Sequence, residues 1–158
     1  MSPAGGPRVR PDGAHVAGVD DLDARTLHDL LRLRVEVFVV EQACPYPEVD
    51  GRDVEPGTRH LWLLDGDAVA ATLRILEDDD GLARIGRVAT AAAARGRGLA
   101  GTLMEAALDE IGERASVLDA QAHLSSFYER FGFLIVGAQY LEDGIPHVPM
   151  LRTPVGIG

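Results

Sequence analysis

The segment Arg95-Gly96-Arg97-Gly98-Leu99-Ala100-Gly101 has the strongest chemical content in this 158-residue chain. Glycines let a ligand approach the main chain. The unpaired N–H groups of a following helix start carry partial positive charge, so such a turn can cradle a pyrophosphate. The chain has a formal net charge of −10, yet residues 81–104 hold no Asp or Glu and include Arg84, Arg87, Arg95 and Arg97. A cationic stretch in an acidic chain suits a small anion, and chance clustering on a solvated face is the plainer alternative. The same acidity argues against a general nucleic-acid binder. Cys44 is the single cysteine. It excludes an intrachain disulfide and a cysteine-based zinc cluster, and no metal is expected. Cys44 itself reads as a half-buried thiol beside Pro45 more readily than as a nucleophile.

Positioning that turn requires elements on both sides. Residues 98–111 read as a helix, with Leu99, Leu103, Met104, Leu108 and Ile111 on one face and Gly112 as its stop. Upstream, residues 60–64 and 68–76 are apolar runs around Asp65-Gly66-Asp67, an antiparallel hairpin signal, and residues 82–89 form a third strand. A first helix starts near Asp20, Asp21 and Asp23 and carries Leu27, Leu30, Leu31 and Arg34. Residues 35–40 are ambiguous, because β-branched residues favour a strand while Phe38 continues the helical stripe. Residues 43–57 form a loop rich in Pro, Gly and acids. A strand over 116–122, a short helix over 125–130 with Ser126 and Glu129 at capping-box spacing, and strands over 134–139 and 147–151 follow. Residues 15–19 suit a short strand. The order gives an α+β fold whose mixed, mostly antiparallel sheet of six to seven strands is flanked by helices. Residues 1–13 read as a flexible tail and 14–158 as a single domain. No apolar run nears the roughly 20 residues of a membrane span. With no signal-peptide pattern either, a soluble cytoplasmic protein without a membrane partner is expected.

Two cofactor classes use a glycine turn of this kind. Gly96-x-Gly98-x-x-Gly101 satisfies the dinucleotide fingerprint, with Asp119 downstream, and would make the chain an oxidoreductase. The antiparallel hairpin before it and the four alanines between strand and first glycine speak against that fold. A Walker P-loop is excluded, since no Gly-Lys-Ser/Thr follows. The second reading is Arg95-x-x-Gly98-x-Ala100, which resembles the pyrophosphate loop of the GNAT superfamily of N-acetyltransferases. Phe127-Tyr128-Glu129-Arg130-Phe131-Gly132-Phe133 resembles that superfamily's second signature. The stretches Val37-Phe38-Val39-Val40-Glu41-Gln42, Ala120-Gln121-Ala122-His123 and Asp143-Gly144-Ile145-Pro146-His147 resemble its ElaA-like subfamily. The likeness spans residues 22–152.

The resemblance implies a GNAT fold with splayed central parallel strands and acetyl-coenzyme A as cosubstrate. It implies that Val88, Ala89 and Thr90 offer main-chain groups to the pantetheine and the acetyl carbonyl, in the manner of an oxyanion hole. Arg95, Gly96, Arg97, Gly98, Leu99 and Ala100 would hold the pyrophosphate. Gln121 stands where many members carry Asn, which leaves its cofactor contact open. Tyr128 stands where the family often places a general acid near the thioester sulfur, and a core aromatic is its plain alternative. A phenol of pKa about 10 protonating a thiolate whose acid lies near 8.5 is uphill by about 2 kcal/mol. A hydrogen bond to the departing sulfur is therefore as reasonable as full transfer.

An alkylamine acceptor is protonated at neutral pH, so a base must act. Candidates are Glu41, His123, His60 and His147, with Glu41 and His123 preferred. The implied reaction is direct attack of an amine in a ternary complex, on a small-molecule or protein acceptor. A non-catalytic acyl-CoA-binding module is the other reading. Glu41, Glu48, Asp50, Asp53 and Glu55, against a single Arg52, lie where many relatives overhang the acceptor. They suggest either a funnel for a cationic amine or a solvated loop. A homodimer is compatible with all of this.

Overall fold

Apolar runs and turn residues divide the described residues of the computed structural model, 5–154, into nine strands and three α-helices. β1 (Arg8–Val9) and β2 (His15–Ala17) pair antiparallel and lead to α1 (Ala24–Val35). Asp23 caps α1 by accepting the Thr26 N–H at 2.7 Å, which satisfies one orphan donor of the first turn. The β-branched run after α1 stays helical as a π-helical turn, Glu36–Glu41, closed where the Cys44 N–H reaches the Val39 carbonyl. Such wide turns relieve a crowded helix and are frequent at functional sites.

β3 (Arg59–Asp65) and β4 (Ala68–Glu77) form the expected hairpin, with Gly66 at φ 62° in its turn. β5 (Ala83–Thr90), α2 (Leu99–Ile111), β6 (Ser116–Gln121) and α3 (Ser125–Glu129) follow. β7 (Leu134–Ile135), β8 (Tyr140–Glu142) and β9 (Ile145–Arg152) close the chain. The sheet runs β1-β2-β3-β4-β5-β6-β9-β7, with β8 also beside β9. Two short strands, β1 and β8, take the count beyond the expected six to seven. The Ser126–Glu129 capping box does not form, because α3 begins at Ser125 straight out of a 3₁₀ turn with no side-chain cap.

The segment read as a tail makes contacts where it is described. Residues 1–4 lie outside the described residues, but Arg8–Val9 is β1, and the guanidinium groups of Arg8 and Arg10 bind Glu110 on α2. Arg10 reaches Asp109 as well, at 2.8 Å. Composition alone read as disorder, whereas these ion pairs give the segment a partner.

Pleat alternation in the central strands assigns the two long helices to opposite faces. Leu61, Leu63, Ala71, Leu73 and Ile75 pack with Leu103, Met104, Ala106, Ala107 and Ile111 of α2. Trp62 packs with Leu30 of α1. β5 breaks that alternation. Arg74 pairs with Gly86 and Thr72 with Ala89, so Arg87 and Val88 together oppose the one residue Leu73. Arg87 takes φ 52° to make this bulge. Its effect is visible in the core, where Ala83, Ile85 and then Val88 contact one cluster, a step of two followed by a step of three.

Candidate active site

β5 and β6 are the parallel pair of the sheet, and they are bonded only at Ala83–Ser116 and Arg84–Val117. From Ile85 on the strands part, which gives the splay the resemblance implies, and the bulge on the β4 side follows at Arg87 and Val88. A cavity of about 500 Å³ opens between them. Ile85, Gly86, Arg87 and Val88 line it from β5, and Leu118, Asp119 and Gln121 from β6. Phe38 of the π-helical turn, Gln42 just after it and Tyr128 of α3 close it. The Gln121 amide donates to the Gln42 side chain at 3.3 Å. Val88 thus reaches the cavity, whereas Ala89 and Thr90 are not among the residues that line it.

The glycine turn sits at the start of α2. Gly96 has φ 83° and Gly98 φ 72°, and a Cβ built on either would meet no atom within 4 Å. Gly98 is the N-cap of α2 without a side-chain cap, and no acid occupies the first turn. Free N–H groups, open space over the glycines and exposed guanidinium groups fit a pyrophosphate. Arg95 meanwhile donates to Glu41 at 2.7 Å and to the Thr90 carbonyl at 3.3 Å, and Arg97 to Asp65 at 3.1 Å. Leu99 and Ala100 form the half-buried first residues of α2. The left-handed backbone makes Gly98→Ala cost about 1–2 kcal/mol of stability. Gly98→Val is expected to cost more through β-branching and to weaken CoA affinity at least tenfold beyond Gly98→Ala in titration calorimetry. Equal affinities for the two variants would remove Gly98 from the binding turn.

Tyr128 is 7 % exposed and lines the cavity. Burial pushes its phenol up to about 12. Proton transfer to a thiolate with an acid near 8.5 then costs about 5 kcal/mol. A hydrogen bond from the neutral hydroxyl is the chemistry its position supports. The base candidates separate clearly. His60 is 1 % exposed, donates to the Asp53 carbonyl at 3.1 Å and has its pKa lowered by burial, away from the cavity. His123 is exposed on the turn before α3, outside the cavity lining. Glu41 forms its ion pair with Arg95 beside the glycine turn, also outside that lining. Of the four, the cavity contains His147.

The acids of the loop divide: Glu48 and Asp53 are buried, Asp50 is exposed but paired, and Glu55 is half-buried beside Arg52. Arg34, Glu48, Asp53 and Arg74 are all under 5 % exposed, between α1 and the sheet. The Arg34 guanidinium donates to Glu48 at 2.7 Å and to Asp53 at 2.6 Å. Arg74 donates to Asp53 at 3.0 Å and to Asp50 at 2.6 Å, and Arg87 to Glu48 at 2.6 Å. The Tyr46 hydroxyl donates to Glu48, and the Arg87 guanidinium lies over the Tyr46 ring. Arginines drawn from three separate elements neutralise these carboxylates, which a loop read alone does not reveal. They fix the loop rather than attract a cation. Arg87 and Asp50 line the cavity as a mutual ion pair, and Arg74 and Tyr46, for which the sequence carries no signal, line it beside them.

The expected dinucleotide alternative needs repeated βαβ units, and the sheet has one parallel pair among the described residues. Comparison with known proteins agrees. The chain is 54% identical over 140 residues to a UPF0039 protein of Mycobacterium tuberculosis, covering 86% of this chain and 90% of that one. Over 141 residues it is 43% identical to protein ElaA of Escherichia coli, covering 85% and 92%. The crystal structure of an acyl-CoA N-acyltransferase from Pseudomonas aeruginosa superposes with a TM-score of 0.85 at 44% identity, over 89% of this chain and 98% of that one. Residues 26–153 match the model of the acetyltransferase (GNAT) domain, so the chain belongs to the GNAT acetyltransferase family and is an ElaA-like member of it.

Proposed function

We propose that this protein moves an acetyl group from acetyl-coenzyme A to an amine by direct attack in a ternary complex. One observation carries the reading: β5 and β6 part around a cavity with the buried Tyr128 in its wall, and β5 leads on to the positive-φ glycine turn that opens α2. The thioester of the cosubstrate supplies an activated acyl carbon and a thiolate leaving group. The chain supplies position and polarity. The turn from Arg95 to Ala100 holds the pyrophosphate, and Arg95 exchanges Glu41 for phosphate. Val88, freed from regular pairing by the bulge, offers its main chain to the carbonyl oxygen as charge gathers there. Gln121, held by Gln42, orients the pantetheine side of the cleft. Tyr128 donates a hydrogen bond to the departing sulfur.

Thiol release with a panel of amines tests the reaction and separates transfer from simple binding. Acetyl-CoA at a hundredfold excess over its dissociation constant is expected to stabilise the fold by about 2.7 kcal/mol, and NAD by none. The two ligands are compared by thermal shift. A shift with NAD and none with acetyl-CoA defeats the assignment of the cleft.

A further inference from the structure

β8 and β9 meet at Asp143-Gly144, with φ 50° and 78°, the positive-φ pair of a tight hairpin turn. In this register Tyr140 stands opposite His147 and Glu142 opposite Ile145. The pleat therefore brings Tyr140, Glu142 and His147 to one face. Glu142 and His147 line the cavity that also holds Tyr128. The Tyr140 ring stacks on the imidazole, with centroids 5.9 Å apart and planes at 24°.

The imidazole is held in one tautomer. Its Nδ1 lies 2.7 Å from the Ile145 carbonyl, which only accepts, so Nδ1 carries the hydrogen and Nε2 keeps its lone pair. Nε2 lies 4.0 Å from the Glu142 carboxylate. That is too long for a hydrogen bond between them. Two acceptors so spaced can both be reached by one ammonium at about 2.9 Å from each. Of the other cavity carboxylates, Asp50 is taken by Arg74 and Arg87 and Asp119 by Arg84 at 2.6 Å, while Asp143 sits in the hairpin turn itself.

We propose that Glu142 and His147 together receive the acceptor as a protonated amine, and that His147 Nε2 removes its proton. This rests on the transferase reading above and names its acceptor class and base. The ammonium N–H bond breaks and its proton passes to Nε2. The freed lone pair forms the C–N bond at the thioester carbonyl carbon. The C–S bond breaks with its electron pair on sulfur, and the second nitrogen proton balances the thiolate to give amide and thiol. The imidazolium returns its proton to water, and the Glu142 carboxylate stabilises it meanwhile. The groups around this imidazole are Tyr140 and Glu142 from β8 and Gln121 opposite on β6. The Asp119–Arg84 pair and Asp143 share the same cavity.

The test is a pH profile of kcat/KM for an alkylamine, with the parent, His147→Gln and Glu142→Gln. His147→Gln keeps polar atoms near Nε2 and cannot take up a proton. It is expected to lose about 10²–10⁴-fold in kcat/KM and the acid limb of the profile, while acetyl-CoA still raises its melting temperature as in the parent. Glu142→Gln is expected to raise the amine KM several-fold, most at low salt. An active parent whose acid limb survives His147→Gln overturns this assignment alone. If His147→Gln does not fold, an unchanged amine KM at low salt in Glu142→Gln overturns it. A parent that releases no thiol with any amine overturns the transferase reading, and this assignment with it.

Discussion

Tyr128→Phe is expected to lower kcat by about 10²–10³-fold while leaving acetyl-CoA affinity and melting temperature close to the parent's. The separation follows from the packing. Phe127, Phe131 and Phe133 meet the Tyr128 ring or its neighbours edge-on, and Phe keeps every one of those contacts. Burial is the sole cause of the raised phenol, so the variant strands no protein partner of the hydroxyl. Only a hydrogen bond that forms as sulfur gains charge is lost. A phenol at about 12 stays protonated across the working range, so the parent's activity should show no basic limb from Tyr128 below pH 10. Steady-state kinetics with acetyl-CoA titration checks this. Undiminished kcat with chemistry rate-limiting returns Tyr128 to a purely structural role.

Arg34→Ala is expected to destabilise the fold by about 3–5 kcal/mol, because it leaves Glu48 and Asp53 buried with half their partners gone. At about 2–4 °C per kcal/mol for a domain of this size, the melting temperature falls by about 6–20 °C. Arg34→Lys should fall between the two, as a point charge cannot span both carboxylates with a planar fork. The network also sets an acid dependence. Burial works to raise the Asp53 carboxyl, but Arg34 and Arg74 outweigh it and hold it below the usual range, and Asp50 behaves likewise beside Arg74. Groups with lowered folded pKa stabilise above the unfolded value near 3.9 and lose that contribution as pH falls through the folded value. Stability should therefore drop below about pH 4, and less steeply in Arg34→Ala. Calorimetry between pH 2 and 7 measures both. A melting temperature within 2 °C of the parent's would mean the network carries no net stabilisation.

Local signals were legible wherever one stretch of chain fixes its own conformation. Asp65-Gly66-Asp67, Asp143-Gly144 and Gly112 mark their turns or helix end, and the stripe from Leu99 to Ile111 marks α2. The glycine turn was legible for the same reason, since left-handed backbone and small side chains are local properties. Chemistry assembled from distant segments was not. The loop acids looked free because their counter-charges, Arg34, Arg74 and Arg87, lie 14 to 39 positions away from Glu48 or Asp53. Glu41 and His123 were reasonable bases by type and neighbourhood. Their separation from the cavity depends on the π-helical turn and on α3, which spacing does not resolve. His147 differs from His60 only in tertiary setting, one lining the cavity and the other sealed beneath the loop. A period-two reading of β5 also hid its bulge, although the step from Ile85 to Val88 records it.

That step has a consequence for how this protein can change over time. Point substitutions along β5 alter what lines the cleft but preserve the count of residues across it. Losing a single residue from the stretch 86–88 would restore one-to-one pairing with β4 and remove the bend that the extra residue puts into the strand. The wall of the crevice would be reshaped without any new side chain. Its form thus depends on parity, one surplus residue in a strand. Lineages of this fold should tolerate rewritten letters there far more readily than a changed number of them.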